Sequence, residues 1–188
     1  MHGYGSNDSD LLGLGASLNP KLHIISLQAP ISMGQGGFAW FELDWGEHGV
    51  IPNEPQALEA RSIVVEFLSD LPQRFGVADG LLVAGFSQGA MMSLGVAFAA
   101  PKLVRGIVMM SGRILPAFVP EEEDRRLRSL RALVQHGTRD QVLPYMGSRD
   151  AAKLLTTYGA TVDHREYPMA HEVSQESLLD IREWMAAG

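Results

Sequence analysis

The stretch Leu81-Leu82-Val83-Ala84-Gly85-Phe86-Ser87-Gln88-Gly89-Ala90-Met91-Met92 constrains this chain more than any other. A short apolar run meets Gly-x-Ser-x-Gly, and a small-residue helical pattern follows at once. That order fits a nucleophile elbow, in which a sharp turn between strand and helix carries the serine. Glycines at 85 and 89 let strand and helix approach closely while Ser87 takes a strained backbone conformation. The helix N-terminus would then aim free N–H groups at a reacting oxygen. In a chain with 20 glycines the pattern alone is weak, because a plain Gly/Ser turn also produces it. It gains weight only if a base, an acid and oxyanion donors follow in workable order.

Bulk properties narrow the field. A chain of 188 residues, 46% hydrophobic and 20% charged, is expected to form one globular domain over 1–188 with a real core. The net charge is −7, and the one basic cluster, Arg125-Arg126 to Arg131, directly follows Glu121 to Asp124. Nucleic acid is therefore not an expected partner. With no cysteine there is no disulfide, no thiolate nucleophile and no Cys-based zinc site. No leader-like opening and no apolar run of transmembrane length is evident, so a cytoplasmic location is expected.

Read in order, the chain opens on Met-His-Gly-Tyr-Gly, and Asn7 to Asp10 then offer caps for a helix with Leu11, Leu12, Leu14 and Leu18 inward. Asn19-Pro20 should stop that helix, and Leu22 to Leu27 reads as a buried strand. Residues 31–55 form the longest irregular segment, a loop lining the pocket, with Trp40 and Phe41 as candidate substrate-binding residues. A helix is predicted over Glu54–Arg74, then the strand 81–84 and the helix 88–99. Strands at 104–110, 130–135 and 161–167 alternate with helices at 147–158 and 174–186. The polar connection 114–129 reads as a solvated helix face. Strands alternating with helices give an α/β fold, a mostly parallel sheet covered on both faces. Ligands of such sheets gather at the carboxyl ends of the strands.

Ser87, Asp140 and His171 each fall just after a predicted strand. A serine hydroxyl needs a general base, and the base needs a carboxylate to hold its tautomer and stabilise its charge. The order Ser, Asp, His is that of α/β hydrolases. Of six histidines, His23 and His164 lie mid-strand, His48 lies in the long loop, and His136 sits in a His-Gly turn that suits a structural role. His171 follows a strand end and comes last. Among the acids, Asp150 and Asp163 lie inside a helix and a strand, which leaves Asp140. The oxyanion donors would be the backbone N–H groups of Gln88, after the nucleophile, and of Tyr4 in the His2-Gly3-Tyr4-Gly5 turn.

His-Gly-Tyr-Gly, Gly-Phe-Ser-Gln-Gly-Ala-Met, His-Gly-Thr-Arg-Asp-Gln-Val-Leu-Pro and Ala-His-Glu, in that order, resemble the phospholipase/carboxylesterase family of α/β hydrolases, which includes acyl-protein thioesterases. The resemblance spans essentially the whole chain. It implies Ser87 as nucleophile, His171 as base, Asp140 as its partner, and Tyr4 and Gln88 as oxyanion donors. It also implies ester or thioester hydrolysis with neither metal nor cofactor. Two departures stand out. The family carries at least one strand before the His-Gly turn, where only Met1 precedes it here, and Ala170 stands where Gly is common before the base.

The function expected is a serine carboxylesterase acting on short- to medium-chain acyl esters. A lysophospholipase or acyl-protein thioesterase would need a longer acyl groove, for which apolar residues in 31–45 and 114–119 could supply walls. A catalytically silent binding domain is the reading from another class, prompted by the absent first strand. An uncovered sheet edge could pair in a homodimer.

Overall fold

The computed structural model describes residues 1–18, 22–46, 49–76, 80–122 and 124–187. The stop expected at Asn19-Pro20, His48 and Glu123 of the acidic run lie outside them. The order of elements is α1 (Leu12–Leu18), β1 (Ile31–Gly34), β2 (Gly37–Ala39), β3 (Leu43–Gly46), β4 (Gly49–Pro52), α2 (Glu54–Phe75), β5 (Leu81–Phe86), α3 (Gln88–Ala99), β6 (Val104–Met110), β7 (Arg131–Gly137), α4 (Met146–Thr157), β8 (Thr161–Tyr167) and α5 (Gln175–Ala186). Strands β5, β6, β7 and β8 form a parallel four-stranded sheet in that order.

Side-chain alternation along the strands divides the core into two layers. Val83, Ile107, Met109, Ala132 and Val134 face α2, α3 and α4. Leu82, Ala84, Val108, Met110 and Leu133 face Ile181 and Trp184 of α5, with Leu18 of α1 against the same side. Helix α3 is apolar all round because it is enclosed all round, buried from Gln88 through Phe98. Asn53 caps α2 by accepting from the Gln56 N–H, and Gly76 closes it in the left-handed region at φ 58°.

Three expectations change. Leu22 to Leu27 forms no strand. An apolar run becomes a strand only beside a partner in register, and here Ile24 packs onto Gly15 of α1 instead. Segment 31–55 is not irregular but holds two antiparallel hairpins, β1–β2 and β3–β4, and the start of α2. Gln35 and Gly36 both have positive φ, 52° and 80°, the left-handed pair that a two-residue hairpin turn demands. Residues 114–129 contain a short 3₁₀ turn at Pro116–Phe118 rather than a helix. Leu115, Phe118 and Leu127 are buried there, while Arg126 folds back onto Asp124.

Met1 occupies the outer edge of β5. Its nitrogen donates to the Ala84 carbonyl at 2.7 Å, and the Phe86 N–H donates to the Met1 carbonyl at 3.1 Å. These two bonds hold Met1 alongside the end of β5. Below it, an apolar groove of about 530 Å³ runs along Leu81, Leu82 and Ala84 toward Leu14 and Ile24.

Packing at the β5–α3 junction is backbone on backbone. A Cβ on Gly85 would run into the Gly89 carbonyl, and one on Gly89 would meet the Met1 and His2 carbonyls. Gly85→Ala is expected to cost about 3 kcal/mol or more, since no side chain can yield. Gly13→Ala, in α1 with nothing near the added methyl, should be stabilising by about 0.5–1 kcal/mol. Urea denaturation of both variants checks the contrast.

Candidate active site

Ser87 sits between β5 and α3 at φ 53°, ψ −114°, a left-handed conformation that non-glycine residues rarely hold. Its N–H donates to the Met110 carbonyl of β6 at 2.8 Å, which fixes the turn against the sheet. Asp140 follows β7 and His171 follows β8, so three strand ends deliver three side chains to one edge.

The three side chains are in hydrogen-bonding contact. The His171 Nδ1–H donates to Asp140 Oδ2 at 2.6 Å, and the Ser87 hydroxyl donates to His171 Nε2 at 2.9 Å. The His171 ring lies against Phe86, with centroids 4.9 Å apart. Asp140 is fully buried at its side chain, and its Oδ1 accepts the Val142 and Leu143 N–H groups at 2.8 Å each. Burial pushes the Asp140 carboxyl up, but the bonds from His171, Leu143 and Val142 outweigh it and hold it below the usual carboxylate range.

A second histidine reaches the same carboxylate. The Nε2–H of buried His136 donates to the Leu143 carbonyl at 3.0 Å and lies 3.1 Å from Asp140 Oδ2. Gly137, next in sequence, lets the loop before His171 pass directly over it, where a Cβ would strike the Met169 and Ala170 carbonyls. The Arg139 N–H donates to the Met169 carbonyl, and the Thr138 N–H to that of Tyr167. Ala170 is exposed, so its methyl group is accommodated without disturbing this contact.

The His2-Gly3-Tyr4 turn packs onto the elbow from the other side. A Cβ on Gly3 would touch Phe86 and Ser87 at 3.3 and 3.4 Å, so the backbone comes as close as glycine allows. Among the described residues neither the Tyr4 nor the Gln88 backbone N–H donates to a protein acceptor. Both residues border the cavity that holds Ser87.

That cavity measures about 480 Å³ and is mostly apolar, with Phe41, Leu43, Met91 and Leu143 among its walls. Phe41 is on the wall as expected. Trp40 is not. Its ring is buried behind the turn, with Nε1–H donating to the His2 carbonyl at 3.0 Å. Residues 114–119 are also absent from its walls, since Leu115 and Phe118 are buried in the core on the α3 side of the sheet. The groove beside β5 is larger, but it contains none of the three hydrogen-bonded side chains.

Two roles went unread in the sequence. The Gln88 side chain is buried and acts as a clamp, with Oε1 accepting the Trp40 N–H at 2.8 Å and Nε2 donating to the Phe41 carbonyl at 2.7 Å. His2 is fully buried, with Nδ1–H donating to the Gly3 carbonyl and Nε2 accepting the Ala29 N–H at 3.1 Å. A polar residue that begins an apolar helix is the one signal that could have marked Gln88.

A family model for phospholipase/carboxylesterase matches residues 1–187. The chain belongs to the phospholipase/carboxylesterase family. By that membership its fold is of the α/β-hydrolase type, and the chain spans about 61% of the length of a rice relative. It is 26% identical over 166 residues to a probable carboxylesterase of Oryza sativa subsp. japonica, a match covering 84% of this chain and 61% of the rice protein. It is 27% identical over 164 residues to acyl-protein thioesterase 1 of Schizosaccharomyces pombe, covering 82% and 70%. The solved structure of esterase PE8 superposes with a TM-score of 0.82 at 28% identity, covering 99% of this chain and 89% of that one. Among the described residues of this family member, no cluster of His, Asp and Glu converges as metal ligands, and no helix is long and apolar enough to cross a membrane.

Two tests follow from the buried polar groups. Gln88→Leu keeps the residue 88 N–H but strips partners from two buried backbone groups, so a loss of about 2–4 kcal/mol is expected in urea denaturation. Burial also holds His2 below its ordinary pKa of 6.5, against the raising effect of its bond to Gly3. The unfolded chain therefore takes up the proton first, and stability falls as pH drops through about 6.5. His164, lowered by burial, acts in the same direction. His2→Gln, which can still accept but cannot titrate, should lose less stability than the parent between about pH 7.5 and pH 5.5.

Proposed function

We propose that this chain is a serine carboxylesterase acting on short- to medium-chain acyl esters through an acyl-enzyme on Ser87. The observation that carries this reading is the continuous Ser87–His171–Asp140 hydrogen-bond chain opening on an apolar cavity.

In the first half-reaction Ser87 Oγ attacks the ester carbonyl while His171 Nε2 takes its proton. The carbonyl oxygen becomes an oxyanion and accepts from the Tyr4 and Gln88 N–H groups, donors already fixed by the turn and the start of α3. Asp140 stays ionised and stabilises the imidazolium through Nδ1–H. His171 then returns the proton to the leaving alkoxide, and the alcohol departs. Water repeats the sequence on the acyl-enzyme, giving its proton to His171 and its hydroxide to the carbonyl. The free acid leaves and the proton returns to Ser87. No net proton or electron is stored, so the cycle asks for no cofactor.

The cavity supports the acyl range. Phe41, Met91 and Leu143 enclose the region beside Ser87, while Leu43, Val50 and Pro52 of the β3–β4 hairpin continue the apolar wall outward. That continuation favours, as a second reading, a lysophospholipase or acyl-protein thioesterase holding a longer chain along the hairpin.

Hydrolysis of p-nitrophenyl esters from C2 to C16 is expected to peak at short to medium chains and to fall by about 10⁴-fold or more in Ser87→Ala. His171→Ala should cost a similar factor, and the double variant little more, because the two act as a unit. A peak at the longest chains would favour the second reading. Equal rates in parent and Ser87→Ala would sink the nucleophile assignment.

A further inference from the structure

Among the described residues the cavity beside Ser87 has one guanidinium on its walls, that of Arg113. Its position is set by the sheet. Strand β6 ends at Met110, the register partner of Phe86, and the Met110 carbonyl accepts the Ser87 N–H. Ser111 then turns the chain at φ 51°, pinned by its N–H to the Gln135 carbonyl at 2.9 Å. Gly112 packs against Ala90 and the Ser87 carbonyl, and a Cβ on Gly147 would meet that of Arg113 at 2.9 Å. Arg113 thus leaves the sheet edge from a confined backbone, three residues beyond the strand position that braces the serine.

Among the described residues the Arg113 side chain has no partner. No carboxylate lies within ion-pairing distance, and none of its N–H groups donates to a protein acceptor. Its Nε is buried without any partner at all. The remaining arginines at ion pairs here show the ordinary arrangement, as Arg149 does with Glu166 and Arg165 with Asp163. Burying part of a guanidinium against apolar walls with its donors unpaired is costly unless an acceptor arrives. The edge formed by Nε and one terminal nitrogen matches a carboxylate or phosphate through two parallel hydrogen bonds. Among the described residues the cavity's one carboxylate, Asp10, is exposed and already accepts the Ser6 hydroxyl.

We infer that Arg113 is a specificity residue for esters carrying an anionic group, a carboxylate or a phosphate, within the same cavity as the scissile bond. This rests on the esterase reading above. An anion on the substrate would complete the guanidinium and leave the apolar wall of Phe41, Leu43 and Met91 for the hydrocarbon part. The overall charge of −7 opposes anion approach at long range, but it is screened beyond about 8–10 Å, whereas the cavity contact is not.

The test compares matched esters by proton release in a pH-stat. Ethyl hydrogen glutarate is set against ethyl pentanoate for an anion on the acyl side. On the alcohol side, 3-acetoxypropanoate and 2-acetoxyethyl phosphate are each set against butyl acetate. In the parent, at least one anionic ester should exceed its neutral counterpart in kcat/KM by about ten- to a hundredfold, the range of one charge-assisted hydrogen bond. That ratio should collapse to about one or below in Arg113→Gln and persist in part in Arg113→Lys. Which pair shows the effect identifies the side and the kind of anion. Neutral esters equal or preferred in all three pairs, or a preference that survives Arg113→Gln, would overturn the inference while leaving the esterase reading intact. A Ser87→Ala variant as active as the parent would instead remove the reading on which it rests.

Discussion

Everything at this site depends on how closely three backbones approach one another. Gly85 at the end of β5, Gly89 in the first turn of α3 and the carbonyls of Met1 and His2 occupy a space with no room for a single Cβ. That approach holds Ser87 in the left-handed region, a conformation that costs on the order of 1–3 kcal/mol. The cost is offset by bonds that no alternative turn would make, from the Ser87 N–H to Met110 and from the Ala90 and Met91 N–H groups to the Ser87 carbonyl. The serine is exposed to the cavity because the chain beneath it cannot relax.

The same junction organises the hairpins that form the cavity wall. Gln88 is held in the elbow by its place at the start of α3, and its side chain grips the backbone on both sides of the Trp40–Phe41 peptide. Trp40 in turn grips the His2 carbonyl, and His2 grips Gly3 and Ala29. A chain of buried hydrogen bonds therefore links Gln88, the residue after Ser87, to the cavity wall and the N-terminal turn. Breaking one member leaves its neighbours unsatisfied in a place water does not reach. This is why Trp40 bears on the site without touching its cavity.

The architecture was legible in the sequence because alternation of apolar strands with helices has few solutions. Asp140 and His171 were legible because each stands directly after such a strand. What escaped was whatever depends on a distant partner. Leu22 to Leu27 has the composition of a strand, yet Met1 is what lies along the edge of β5. The β1–β2 hairpin was missed because its turn is Gln35-Gly36, where the first residue is not a usual left-handed one. His136 reads as a plain His-Gly turn until the fold brings its ring to Asp140. The Gln88 clamp needs residues 47 and 48 positions earlier in the chain, a pairing no local pattern encodes.

In the proposed reaction Asp140 decides where the proton goes. Its carboxylate accepts three hydrogen bonds, from Val142 and Leu143 at Oδ1 and from His171 at Oδ2. A carboxylate so surrounded by donors is held below its usual range and has little capacity to take up a further proton. In the proposed reaction, proton transfer from Ser87 therefore ends at His171, and the carboxylate contributes a fixed charge rather than a relay. His136 stands 3.1 Å from Oδ2 as well, but its Nε2–H is given to the Leu143 carbonyl. With Oδ1 held by two backbone N–H groups and Oδ2 by His171, the carboxylate is fixed at both oxygens, and with it the aim of the His171 ring at Ser87.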